Sequence, residues 1–537
     1  MSDRLFKAEK WLCRLAELLF AVFVLGILYV IIDNQYDHIF PYNNYCIVPN
    51  RYLFYGAAGV LCVLFVLAQG MHLIAAAKSK TPSLPRAHKE KQTDFRKLMR
   101  VLGILTPVLF AAQVFVSYEI YFESGWDVFK IMKMVYAMVF EGAKIGNADY
   151  FSMCTNNFFL TGIFAGILKA VNALGFEATY FPLIVFGCML VAPTGWLLAD
   201  CVRMLTGRKD LVIGSWILFV LLSGLSPWIS IPYSDTYTIF FPTFAIWAFL
   251  RIKESNHVRM WFLIVFLSLI GYFIKPTVIL ALIVMVFFAG LHFLLHLKDG
   301  NRTERLRYMG GNVLAVLVAV VLALLLRAGM KQVTGFTPDP ERYLPPAHYF
   351  MMGWGYDYAG GYNQEDNNFS MDFPTTEARV KGDIEEGIRR IKSYYPYNKL
   401  VHFISRKMLN NFSDGTFAWG FEGGFYYIFR ENNTAPAKFL RSIFYHDGKY
   451  FDRFVAFAQA LWILTLCMCA CNLFGGIRKR TGRDTIVMIS VLAIFCFVMV
   501  FEARARYLYL YTPLIYMAAA TGVARLTGPV FGEAEEK

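Results

Sequence analysis

The feature that most constrains this 537-residue chain is a succession of apolar stretches, each close to the roughly 20 residues that an α-helix needs to cross a bilayer core. They fall near 11–32, 52–77, 98–118, 180–202, 211–229, 236–252, 259–274, 276–297, 308–330, 452–475, 485–501 and 507–526. In hydrocarbon, backbone polar groups must be bonded within the segment, so these stretches read as helices. Composition agrees. The chain is 57% hydrophobic and 17% charged, where a soluble domain carries about 45–50% and about 25%, and this excludes a soluble enzyme, a disordered chain and a nucleic-acid binder. The predicted fold class is an all-α polytopic membrane protein of about twelve transmembrane helices, with a mixed extracytoplasmic segment at 331–451.

The net charge of +13 is informative mainly through its placement. Lys78, Lys80, Arg86, Lys89, Lys91, Arg96, Lys97 and Arg100 crowd one loop, which the positive-inside rule puts in the cytoplasm. A further apolar stretch, 157–174, would invert every later basic loop if it spanned. Taken as an interfacial helix on the outer face, it leaves the loops around Arg203, Arg251, Arg302 and Arg478 inside, with both termini cytoplasmic. The chain then divides into a two-helix extension with its basic loop (1–97), a membrane core with a first outer loop at 119–179 (98–330), the outer segment (331–451) and closing helices (452–537). The first apolar run lacks a cleavage site and reads as an anchor. Of the ten cysteines, most lie in apolar runs as small packers, and Cys46 and Cys154 are the pair in predicted external loops that a disulfide could join.

This threading gathers polar residues at membrane depth on one face, where an ionisable group needs a partner or a cavity. Asp127 opens an amphipathic stretch carrying Val128, Ile131, Met132 and Val135, and reads either as a helix-start carboxylate or as a general base, with Asp149 a second acid on the same loop. Asp235, in IPYSDTYT, is a helix cap or a functional acid. Lys275, in FIKPTV, snorkels or faces a phosphate. Glu502, Arg504 and Arg506, in FEARARYL, place guanidiniums against the usual inside bias, which suits a grip on a phosphate or a knot with Glu502. On a regular helix Arg504 and Arg506 would point about 200° apart, so one is expected to face the phosphate, preferably Arg506, and the other an acid. In the outer segment, Tyr362, Asn363, Glu365, Asp366 and Asp414 sit among glycines and aromatics in a pattern that suits sugar or acceptor binding, or equally a packed domain with glycine turns. Residues 376–395 read as a soluble helix. The sequence has no P-loop, dinucleotide fingerprint, Ser-His-Asp grouping or metal motif.

The order of these elements, an early loop acid (Asp127), YFSMCTNNFF, YSDT, KPT, GGYNQED, SDGTF and a late RARYL, resembles the GT-C superfamily of polytopic glycosyltransferases. It is closer still to Gram-positive membrane proteins related to glycosyltransferase family 39. The likeness covers most of 98–526 and departs from the pattern in two places: a lone Asp127 replaces a paired-acid motif, and CTNN replaces an HPPL-like string. The resemblance implies a GT-C-like membrane core, a loop acid acting as general base, a polyprenyl-phosphate-linked sugar as donor, and inverting transfer on the outer face. The expected function is therefore transfer of a sugar to a cell-envelope acceptor, whether polysaccharide, teichoic acid, lipid or protein. Asp127 would serve as base, Asp149 and Asp235 as supporting acids, and Lys275, Arg504 and Arg506 would hold the phosphate. No cofactor is required, although Asp127 with Asp149 or Asp235 could bind a divalent metal. Membrane lipids are expected partners and nucleic acid is not. The alternatives are a lipid-linked sugar transporter or flippase, for which no internal repeat is found, and a noncatalytic envelope-assembly protein.

Overall fold

The computed structural model describes residues 2–33, 48–78, 86–252, 256–295, 302–395, 397–419, 426–428, 430–474 and 482–528. In chain order the helices are α1 (Ser2–Asp33), α2 (Asn50–Lys78), α3 (Arg86–Ile120), α4 (Asp127–Phe140), α5 (Asp149–Met153), α6 (Asn157–Ala173) and α7 (Phe181–Thr206). There follow α8 (Lys209–Phe219), α9 (Ser234–Thr238), α10 (Phe240–Leu250), α11 (His257–Ile274), α12 (Ile279–Leu295) and α13 (Arg302–Thr334). The outer segment supplies α14 (Pro346–Gly353), α15 (Gln364–Met371), α16 (Thr376–Ser393), α17 (Tyr397–Phe412) and α18 (Ala435–Phe444). The chain closes with α19 (Phe451–Ala470), α20 (Gly482–Val500) and α21 (Thr512–Leu526).

Among the described residues nine helices are long and apolar enough to cross a membrane. Three further predicted spans differ because they are broken. Residues 211–229 form α8 followed by a π-turn at Val220–Gly224, 236–252 form the pair α9 and α10, and 507–526 begin as a 3₁₀ stretch, Ala505–Tyr511, before α21. The interfacial candidate 157–174 is the helix α6, whose Phe158, Phe159, Leu160 and Phe164 are buried. The basic loop is shorter than read from sequence: α3 already starts at Arg86, so the helix that carries the third span begins before the span itself, which starts at Phe95. Among its described residues the predicted outer segment is mainly helical, and its strand β2 (Tyr426–Ile428) pairs antiparallel with β1 (Glu123–Ser124) of the predicted first outer loop. The soluble helix expected at 376–395 is α16, capped by the Thr375 side chain.

The N-terminal extension shares the core of the chain. Phe20, Val24, Ile27 and Ile31 recur at helical spacing and are fully buried, and α1 packs on α17, α19 and α20. Lipid tails are as apolar as leucine, so helix association here depends on close fit and polar ties rather than on burial alone. Both are present. Glu17 of α1 accepts from Arg525 at 2.9 Å and from Thr485 at 2.9 Å. Across α21, Asn472 donates to the Ala518 carbonyl at 2.8 Å, and Gly522 lies so close to the Met468 backbone that a β-carbon would collide. The outer segment is also held by side-chain to backbone bonds: buried Arg379 donates to the carbonyls of Ser370, Tyr343, Glu341 and Phe373.

Candidate functional site

Three irregular backbone points meet at the end of the bundle predicted to be external, and the one at Lys275 is written in the sequence. Proline disfavours helical backbone in the residue before it, and Lys275, before Pro276, ends α11 in an extended conformation. Tyr233, after Pro232, is likewise extended and delivers Asp235 into the short α9. Arg504 is extended between α20 and the 3₁₀ stretch that carries Arg506. Each break turns a long polar side chain inward.

Asp235 is 2% exposed and stands between two cations. Lys275 Nζ donates to its Oδ1, and Arg506 Nε lies 3.2 Å from its Oδ2. The acid therefore does not cap its helix. Both cations rest on rings: Arg506 lies 4.0 Å from the ring centre of Trp126 and near Trp228 and Tyr233, while Lys275 lies 4.5 Å from that of Tyr507. A desolvated cation over an aromatic face gains up to about 2 kcal/mol. Trp126 and Tyr233 meet edge to face at 4.8 Å. Next in sequence to Trp126, half-buried Asp127 opens α4 and accepts from the Tyr233 hydroxyl at 3.1 Å. One dipeptide thus carries a guanidinium on its ring and, next to it, a carboxylate bonded to Tyr233 of the same cluster.

The second half of the site hangs from Glu502, which accepts from Arg504 at 3.0 Å and from the Tyr507 hydroxyl at 2.8 Å. Arg504 lies over Tyr362 at 5.8 Å. The expected division between the arginines is present in geometry: Arg504 pairs with Glu502 while Arg506 turns into the bundle. Its inward neighbour, however, is the Asp235 carboxylate. Burial, reinforced by the Asp127 carboxylate, pushes the phenols of Tyr233 and Tyr150 well above their ordinary range, so both remain proton donors. Tyr150 is fixed by Asn157, whose side-chain amide donates to its hydroxyl at 2.6 Å, which gives the Asn-Asn junction a structural task.

Other predicted residues lie outside this constellation. Asp149 is largely exposed, with Arg342 3.8 Å away. Asn363 caps α15 by accepting from the Glu365 amide, and Glu365 is exposed. Asp366 is buried against Arg390 at 2.6 Å. Asp414 holds its own turn, accepting from the Thr416 and Ala418 amides. Of the five sugar-binding candidates, Tyr362 is the one that contacts this cluster, through Arg504. Among the described residues no group of three or more His, Cys, Asp or Glu is placed to hold a metal ion. Cys154 carries a free thiol whose ionisation burial pushes up to about 12, and Cys46 lies outside the described residues. Sequence reading missed Trp126, Tyr233 and Tyr507. Each adjoins or lies close to a residue it did single out, but aromatics are too frequent here to stand out as signals.

A family model described as a conserved hypothetical integral membrane protein matches residues 13–525. The chain belongs to that family. Its description carries membrane character alone. The match begins inside α1, so the first two helices belong to the family unit, consistent with their packing. No curated protein and no solved structure matches the chain.

Proposed function

We propose that this integral membrane protein is a GT-C-type glycosyltransferase. It would move a sugar from a polyprenyl-phosphate donor to a cell-envelope acceptor at the outer face, with both termini in the cytoplasm and no required metal. The observation that carries the reading is the Trp126–Asp127 dipeptide, which sets a carboxylate beside a buried guanidinium at the predicted outer end of the bundle. An acceptor hydroxyl beside Asp127 would lose its proton to the carboxylate as its oxygen attacks the anomeric carbon. The bond from that carbon to the phosphate oxygen breaks, and the electron pair leaves on the polyprenyl phosphate. That leaving group is already an ionised phosphate, so charge at Arg506, Lys275 and Arg504 can replace acid catalysis. Tyr233, held protonated, orients Asp127 by its hydrogen bond. Asp235 keeps the two buried cations in place before donor binds and yields part of that contact to the phosphate.

The test compares cells that lack the protein with cells complemented by wild type or by Asp127→Asn. With the deletion and with Asp127→Asn, polyprenyl-phosphate-linked sugar is expected to accumulate while an envelope glycan loses that sugar. Full complementation by Asp127→Asn would sink the reading. Loss of the glycan without donor accumulation would redirect it to an assembly role.

A further inference from the structure

Among the described residues, one buried lysine has no part in the reaction above. Lys407 on α17 is fully buried, and its Nζ donates to two carbonyls from separate segments: that of Gly353 at the end of α14, and that of Phe501, 2.8 Å away, just before Glu502. The two segments interlock around it. Ala503 N–H donates to the Gly360 carbonyl at 2.7 Å. Gly360 has φ +75°, and a β-carbon there would lie 2.9 Å from Lys407 Nζ and 2.5 Å from the Gly353 carbonyl oxygen. A β-carbon on Gly353 would meet the Phe501 carbonyl at 2.5 Å. The glycine turn at 353–361 and the acid-bearing turn at 501–504 are thus backbone against backbone, with the lysine amine at their crossing. Trp354 and Phe403 close it off, their ring centres 5.7 and 6.0 Å from Nζ.

We propose that Lys407 is a positioning residue that pins the Glu502–Arg504 turn to the glycine turn bearing Tyr362, and so sets how Arg504 is presented to an anionic donor. The assignment rests on the phosphate-donor reading for its consequence and on geometry alone for the clamp. Burial pushes the Lys407 amine down to about 7, with the Glu502 carboxylate opposing that shift. Other charged or titratable groups near the crossing are already engaged: Arg406 donates to the Tyr356 and Asp357 carbonyls, Arg390 to that of Met351 and to Asp366, Arg504 to Glu502, and His348 of α14, which burial holds below the usual imidazole range while Glu502 opposes that shift, is hydrogen-bonded to Ser370. As the ammonium form, Lys407 supplies positive charge to Glu502. As the neutral amine it still donates to both carbonyls, but Glu502 then draws more on Arg504, which becomes less available to an anion. Donor affinity should therefore be higher below pH 7 and fall as pH rises through it.

The experiment uses the full chain in nanodiscs. Hydrogen exchange without ligand reads the clamp: Lys407→Met should speed exchange of peptides covering 353–362 and 498–507 by tenfold or more, with peptides of α19 and α21 unchanged. Binding of farnesyl-phosphoryl-glucose, a diester whose phosphate does not titrate between pH 5.5 and 8.5, reads the consequence. Wild type should bind several-fold more weakly at pH 8.5 than at pH 6, and Lys407→Met should give a flat profile. Unchanged exchange, or the same pH bend in Lys407→Met, would overturn the proposal. Should Lys407→Met not fold, Glu502→Gln decides: removing the carboxylate through which Lys407 acts on Arg504 should flatten the pH profile, and a bend that persists counts against Lys407. Failure of wild type to bind the diester at any pH would instead count against the donor reading, with the exchange result standing by itself.

Discussion

Two buried ionic clusters, at opposite ends of the predicted spans, are built with opposite stoichiometry. At the predicted cytoplasmic end Arg525 meets two carboxylates, Glu17 at 2.9 Å and Asp484 at 3.4 Å, and also donates to the Asn472 carbonyl. At the predicted outer end one carboxylate, Asp235, meets two cations, Lys275 and Arg506, which lean on aromatic rings. The first arrangement is a tie: it joins the first helix to the last two through an arginine satisfied by fixed acids and a carbonyl. In the second, Lys275 and Arg506 share one buried carboxylate and also lean on ring faces. That difference is what a stable weld and an anion-receiving pocket would each require, and it can be tested.

The largest expected effect is on turnover. Asp127→Asn should lower transfer by about 10²- to 10⁴-fold, the usual contribution of a general base, while the thermal midpoint stays near wild type. A loss of stability comparable to that of the inner-cluster variants would return Asp127 to a helix-start role. Next comes Arg525→Met, which removes the guanidinium from buried Glu17. Breaking a buried pair by removing one partner costs about 3–5 kcal/mol, read as a lowered unfolding midpoint in detergent. Smaller in stability is Arg506→Met, because Asp235 keeps Lys275. We expect a loss of about 1–2 kcal/mol, the scale of a hydrogen bond to a charged group together with a cation–π contact, but a clear weakening of donor binding. If Arg506→Met destabilised the protein as much as Arg525→Met, the distinction between weld and pocket would fail. The smallest effect belongs to Asp149→Asn, within about 0.5 kcal/mol and without change in transfer, since this exposed acid belongs to neither cluster.

The same contrast marks how far the residues could be read without coordinates. Lys275 and Asp235 were visible because charge at membrane depth is rare, and the break at Lys275 was visible because Pro276 follows it. Their mutual pairing was not visible: 40 residues separate them, and the apolar runs between carry no record of register. The inner cluster escaped notice altogether, since Glu17 and Arg525 lie 508 residues apart near helix ends, where charge is ordinary. Asp366 and Asp414, which the sequence left open between ligand and packed domain, show the other side. Carboxylates among glycines and aromatics look like ligands in a string of letters, yet one is spent on Arg390 and the other bonds within its own turn.

By itself the sequence determined that the chain is an all-α protein of the membrane and which segments break at proline, because hydrophobic length and backbone restriction are local properties. It also marked Asp127, Asp235, Lys275, Glu502, Arg504 and Arg506 as costly side chains in need of partners. Only the tertiary structure decided who those partners are: that Tyr233 serves Asp127, that Asp235 binds both buried cations, that α1 is welded to α21, and that Lys407 pins two turns together. Such pairings depend on the packing of helices distant in the chain, where a shift of one turn, about 5.4 Å, would replace every contact without altering the hydrophobic pattern that the sequence displays.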